Sequence, residues 1–252
     1  MSTAVIPSPI REVIGDALSP LTLNSSTKQY ITVEPGFHEV MLYSASQFKL
    51  LLNPKIEQAL KYTVLGGFSR SETALQDKVA TVAAMAVGGL LTTGFLYFAT
   101  QEQISGLNVT MKSGDVNANV ATLKVEYWNG TAWADTSASD GTTSAGATLA
   151  QSGAITWSVP AAELPLFAGI LLGNDEYFGR NQNLYWYRVS VSATLSATVN
   201  ISEMNTINKG TNYALIEAAI IHSFSVNTVR VGCLQVLSVS ATPVLDIDWV
   251  KH

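Results

Sequence analysis

The sequence predicts an all-β protein centred on a β-sandwich, and three observations carry that prediction. Apolar and polar residues alternate in register at Leu107, Val109 and Met111, again at Ala121, Leu123, Val125 and Tyr127, and longest of all from Tyr185 to Leu195. Turn-forming dipeptides punctuate these runs, above all Asn129-Gly130 and Asp140-Gly141. Four of the five tryptophans, Trp128, Trp133, Trp157 and Trp186, fall between Val125 and Leu195, so most of the large-aromatic burial is committed to that stretch.

Taken in order, residues 1–21 carry prolines among small and apolar residues and read as an extended arm of the kind that lies on a neighbour. Residues 22–75 read as a small β-rich unit. Within it Tyr30–Val33 and Phe37–Tyr43 flank Glu34-Pro35-Gly36 as a hairpin, and a helical turn is expected near Ile56–Lys61. Residues 76–94 read as a linker helix, with Val79, Val82, Ala83, Ala86 and Val87 at helical spacing and Gly88-Gly89 as its C-cap. Phe95–Phe98 then opens the sandwich, assigned to residues 95–203.

Inside that module Asn129-Gly130 is the pair favoured by a two-residue type I′ turn, because both central positions of that turn need positive φ. Asp135–Ser152 reads as a long loop, and Ile155, Trp157 and Val159 share one face before Pro160 ends their strand. The run from Tyr185 to Leu195 is a central strand. Residues 204–252 are expected as strands packing on the N-terminal unit or on a neighbouring subunit, with Leu245, Ile247 and Trp249 inward and Asp246 and Asp248 solvated.

Composition narrows the function. Hydrophobic residues make up 47% of the chain and charged residues 13%, against about 25% charged in an ordinary soluble domain, which leaves few charges to cover a solvated surface. The net charge of -5 and the absence of a Lys/Arg run argue against nucleic acid. Residues 79–100 carry no charge and reach the length of a membrane span, yet they are rich in Ala, Gly and Thr and have no basic flank, so no membrane segment is expected. No signal peptide of the secretory kind is read in Met1–Ile14, and the Asn-x-Ser/Thr triplets are attributed to Ser/Thr/Asn-rich β sequence. Cys233 stands alone, which excludes an intrachain disulfide, and its expected role is a small buried hydrophobe.

The residues from about Phe95 to Leu195 include Leu123–Trp133, Asp140-Gly141-Thr142, Leu149–Gly153 and Tyr185–Val189. They resemble a jelly-roll-like β-sandwich module found in virion structural proteins of tailed bacteriophages. The resemblance implies a structural protein that is made in the host cytoplasm and resides in the virion. Its place there would be capsid decoration, a head fibre or a tail part. Expected partners are further copies of the chain, a trimer being one such assembly, and virion proteins such as the major capsid protein.

No catalytic constellation is legible: there is no Gly-x-Ser-x-Gly elbow, and Asp246 and Asp248 are first of all the wet side of a strand. The chain is therefore read as non-enzymatic, with no catalytic residue and no cofactor. His38, His222 and His252 have no ligand spacing to one another, so no metal is expected. Asp135, Asp140 and Asp175-Glu176 lie in loops where Ca²⁺ is sometimes held, but turn chemistry accounts for them without an ion. Trp128, Trp133 and Trp186 are the candidate interaction residues. Trp128 and Trp186 have the opposite strand parity to the core residues Tyr127, Tyr185 and Tyr187, which places them on an outer face as a subunit interface or a sugar-stacking platform.

Overall fold

The computed structural model describes residues 12–15, 21–23, 29–32, 39–71, 75, 83–167, 183–210, 214–216, 218, 222–225, 231–239 and 244–251. In chain order the strands are β1 (Glu12–Gly15), β2 (Leu21–Thr22), β3 (Gln29–Thr32), β4 (Glu39–Ser44), β5 (Phe48–Pro54), β6 (Ile56–Thr63) and β7 (Gly67–Arg70). There follow β8 (Met85–Ala86), β9 (Phe95–Thr100), β10 (Ile104–Met111), β11 (Leu123–Trp128), β12 (Trp133–Asp135), β13 (Ser139–Asp140) and β14 (Gly153–Thr156). The last are β15 (Leu166–Phe167), β16 (Asn183–Val191), β17 (Asn200–Asn208), β18 (Ala214–Ile216), β19 (His222–Ser225), β20 (Val231–Ser238) and β21 (Val244–Lys251). The fold is all-β with antiparallel ladders, and no helix among the described residues is long and apolar enough to cross a membrane.

The chain divides into two compact units, one of residues 1–51 with 212–252 and the other of residues 52–211. In the first, one sheet has the order β1-β21-β4-β19 with β2 also on β21, and the other the order β18-β5-β20-β3. Val40 and Leu42 of β4, Phe48 and Leu50 of β5, Leu234 and Val236 of β20, and Leu245 and Ile247 of β21 form a shared apolar core. Alternation has its expected effect in β21, where Leu245 and Ile247 are buried and Asp246 is exposed. The side chains of His222, Cys233, Asp248 and Trp249 lie outside the described residues.

Two expectations fail here. β3 and β4 do not form a hairpin, because β3 pairs β20 while β4 lies between β21 and β19, in the other sheet. Pro35-Gly36 and its neighbours 33–38 lie outside the described residues. Part of the expected arm, Glu12–Gly15, is a strand on β21 of its own chain.

In the second unit a seven-stranded sheet, β12-β11-β16-β9-β6-β7 with β15 on β16, faces a five-stranded one, β13-β14-β10-β17-β8. Leu96, Phe98, Val125, Tyr187 and Val189 from the first sheet meet Leu107, Val109, Ile155, Ile201 and Met204 from the second in one core. Tyr127 and Tyr185 pack against the same core, and Trp157 is 6% exposed with its ring 5.3 Å from that of Tyr187. The run read as a central strand is β16, flanked by β11 and β9.

β6 and β7 belong to this sheet, so Phe95 does not open it and Ile56–Lys61 is strand, not a helical turn. Residues 76–82 of the expected linker helix lie outside the described residues, and Ala83–Val87 is not helical. Met85 and Val87 are buried and Ala86 is exposed, a period of two, and Ala84 N and Val87 N donate to Ile201 O and Val199 O. Small apolar residues fit either period, and edge pairing on β17 decides it. Gly88 serves close approach instead of capping, since a Cβ there would collide with the Ala197 carbonyl.

Candidate interaction face

The seven-stranded sheet has a second face, turned away from the core. Period-two alternation places Lys124, Glu126 and Trp128 of β11 there, with Leu184, Trp186 and Arg188 of β16, Phe95, Tyr97 and Ala99 of β9, and Leu60 and Tyr62 of β6. Trp133 of β12 stands opposite Trp128, and Phe68 of β7 opposite Tyr62. The result is a second apolar cluster with its own rings in contact.

The rings form a continuous band. Tyr62 and Phe68 lie 4.9 Å apart, Phe68 and Tyr97 6.1 Å, Tyr97 and Trp133 5.7 Å, and Trp133 and Trp128 5.6 Å, the last pair edge-on at 70°. Phe95 joins at 5.9 Å from Tyr97. Such tilted contacts suit the ring quadrupole and fix the rings relative to one another.

One cation sits inside the band. The Arg188 guanidinium lies 4.6 Å from the centre of the Phe95 ring and 4.8 Å from that of Trp133, while its Nε donates to Glu126 Oε2 at 2.6 Å. Lys124 Nζ reaches the other Glu126 oxygen at 3.1 Å. Burial works against the charged Glu126 carboxylate, but the hydrogen bonds from Arg188 and Lys124 outweigh it and hold its pKa below the ordinary value. The Tyr97 phenol is pushed up by burial, with Arg188 opposing.

Strand parity assigns Trp128 and Trp186 correctly to the face opposite the core, but the two differ in access. Trp186 is 1% exposed, so it offers no ring to a ligand, and a sugar platform that includes it is corrected. Trp186 clusters with Leu60, Tyr97, Ala99 and Leu184, and Leu166 of β15, which pairs β16 at Leu184, packs on the same cluster, neighbours that parity alone does not reveal. Trp128, Trp133, Phe95, Tyr62 and Phe68 stay half-buried.

The Asn129-Gly130 turn is also longer than expected. Trp128 pairs with Trp133 across a four-residue loop, closed by Asn129 N donating to Ala132 O. Gly130 has φ +97°, but Asn129 is not in the left-handed region; its Oδ1 instead accepts from Thr131 N and Ala132 N.

Asp140 accepts four hydrogen bonds. Oδ1 accepts from Thr142 N and Thr142 Oγ1, and Oδ2 from Thr143 Oγ1 and Thr148 Oγ1, at 2.6–2.8 Å. Burial raises its pKa, and these donors reverse the shift and lower it. Asp135 Oδ1 accepts from Ser137 N; Asp175-Glu176, His38 and His252 lie outside the described residues. Among the described residues no group of three His, Cys, Asp or Glu side chains is placed to hold a metal ion.

A further feature has no counterpart in the sequence reading. The β6–β7 turn carries Val64 and Leu65, and Leu91 stands in the loop beside it; their exposures are 62%, 97% and 50%. The only sequence signal is two apolar residues directly before Gly66-Gly67. No family model, curated protein or solved structure matches this chain.

Proposed function

We propose that the chain is a non-enzymatic virion structural protein of a tailed bacteriophage, a capsid decoration or stabilising subunit that works through subunit contacts. The observation that carries the contact role is the half-exposed aromatic band on the outer face of the seven-stranded sheet. Monomer surfaces seldom leave so many contiguous rings half open, and interface cores are enriched in Trp, Tyr, Phe and Arg. The exposed tip at Val64, Leu65 and Leu91 and the low charge of the chain support the same reading. The virion setting and a jelly-roll-like arrangement of the second unit rest on the resemblance of the tryptophan-rich stretch.

The fitting occupant is another copy of the chain or the major capsid protein, because a stable contact needs roughly 800 Å² from each side and the band extends over five strands. Imaging of particles assembled with a tagged chain tests the proposal. Density on the capsid surface that disappears with Trp128→Ala/Trp133→Ala supports it, and particles that never carry the chain overturn it.

The second reading, host-glycan binding by a tail or fibre component, has one observation in its favour: Trp128 and Trp133 lie beside the Arg188–Glu126 pair, so apolar ring faces and polar donors adjoin. Calorimetric binding of a glycan that is lost in Trp128→Ala, with particle assembly unchanged, would establish it instead.

A further inference from the structure

A strap of residues 157–165 leaves β14 in one sheet and reaches β15 on the other. Along Ser158–Pro165 most side chains are exposed, and Glu163 is the one buried residue, 4% exposed. Trp157 anchors the start of the strap through its N donating to Ser105 O at 2.8 Å and its buried ring, and beyond it Leu164 N donates to Trp128 O and, within the strap, Glu163 N to Pro160 O, each at 3.2 Å. Both Glu163 carboxyl oxygens are fully enclosed and make no well-formed hydrogen bond, although the Tyr187 phenol and the Gln103 amide are turned toward them as donors, and Trp157 Nε1 is enclosed without a partner. A carboxyl so placed is tolerated neutral and is costly as an anion.

The groups that face it come from three directions among the described residues. The Tyr187 phenol of β16 is buried and already accepts from Ile104 N at 3.0 Å. Gln103 turns toward it from the β9–β10 turn. Lys209, just after β17, is the one nearby cation, and its Nζ is engaged by Gln103 Oε1 at 3.1 Å. Among the described residues no cation pairs directly with the carboxyl.

We infer that Glu163 is a proton-operated latch: protonated, it seats the strap, and ionised, it releases the strap and with it the cover over the outer tryptophan face. Two contacts link the strap to that face. Leu164 packs over Gly130, where a Cβ would lie 2.8 Å from its Cδ1, and Leu166 of β15, to which the strap leads directly, packs on the Trp186 cluster. Burial pushes the Glu163 carboxyl up to about 7. The seated strap therefore binds a proton that the released strap gives up, and seating weakens as pH rises from the ordinary carboxyl range to about 7 and levels off above it.

Hydrogen exchange of the strap in the isolated full chain tests this, whatever covers the outer face in an assembly. After correction for intrinsic exchange, strap protection in the native chain is expected to fall on the order of fiftyfold from about pH 5 to about pH 8, while Glu163→Gln holds the same protection at both. Equal protection of the native chain at both pH values, or an undiminished fall in the variant, overturns the latch. A ¹³C titration of the Glu163 carboxyl in the native chain gives the same decision without a variant: a midpoint near 7 supports it, and a midpoint at the ordinary glutamate value overturns it.

Discussion

Arg188 and Asp140 carry the polar framework of the second unit in opposite ways. Arg188 joins three strands, stacking on Phe95 of β9 and Trp133 of β12 while it neutralises Glu126 of β11. Arg188→Ala leaves a mostly buried carboxylate with only Lys124, and equilibrium denaturation should show a loss of about 2–3 kcal/mol. Asp140 organises its loop alone, through two threonine side chains ahead of it in sequence, Thr142 and Thr143, and a third at Thr148. Asp140→Ala strips four hydrogen bonds and should cost about 2–4 kcal/mol. Because the folded-state pKa of Asp140 is lowered, its contribution is present above the ordinary carboxylate range and is lost as pH falls through the lowered value. The acid limb of the stability–pH curve should accordingly be shallower in Asp140→Ala than in the native chain. At this scale parity was legible in the sequence: Tyr127 and Tyr187 on one face, Trp128 and Trp186 on the other. The burial of Trp186 was not, because the residues that cluster with it come from β6, β9 and β15 as well as its own strand, and pairing of those strands is not read from parity.

Among the elements, strand runs with strict alternation were readable, and the irregular pieces were not. β10 buries Leu107, Val109 and Met111 as its period selects, since only one register puts those side chains in the core, whereas β11 and β16 leave Tyr127 and Tyr185 half-buried on the core side and bury Glu126, Leu184 and Trp186 on the other face. Ala83–Val87 misleads because alanine and valine satisfy helical and strand spacing alike until β17 supplies a partner. The β3–β4 hairpin misleads for a different reason: turn residues report a reversal of the chain, not whether both arms stay in one sheet. Glycines fix two of the tightest junctions. A Cβ on Gly153 would strike the Gly141 carbonyl, and one on Gly141 would lie 2.5 Å from Ala154 O, so β13 and β14 close on each other only without side chains. Gly153→Ala should lower stability by about 1–3 kcal/mol in a thermal melt. Gly130→Ala meets both a φ of +97° and the Leu164 side chain, and about 1–2 kcal/mol is expected there. The two differ in where the effect appears: Gly130→Ala should loosen exchange in the 129–132 turn and the strap, whereas Gly153→Ala should not.

For the molecule as a whole, the two units each bury their own core, and what remains unexplained by folding is the outer aromatic band and the apolar tip at Val64, Leu65 and Leu91. The band was half legible beforehand, in the tryptophans; Phe95 and Tyr97 belong to it through β9, and Tyr62 and Phe68 through β6 and β7, whose place in the same sheet the sequence does not reveal. The assembly reading stands on whether this face is covered by another subunit. Sedimentation velocity of the purified chain over a wide concentration range tests it most directly. Association that strengthens with concentration, and that Trp128→Ala/Trp133→Ala weakens at least tenfold, or about 1.4 kcal/mol, is the predicted result; a monomer at every concentration, unchanged by the two substitutions and without affinity for capsids, would contradict it.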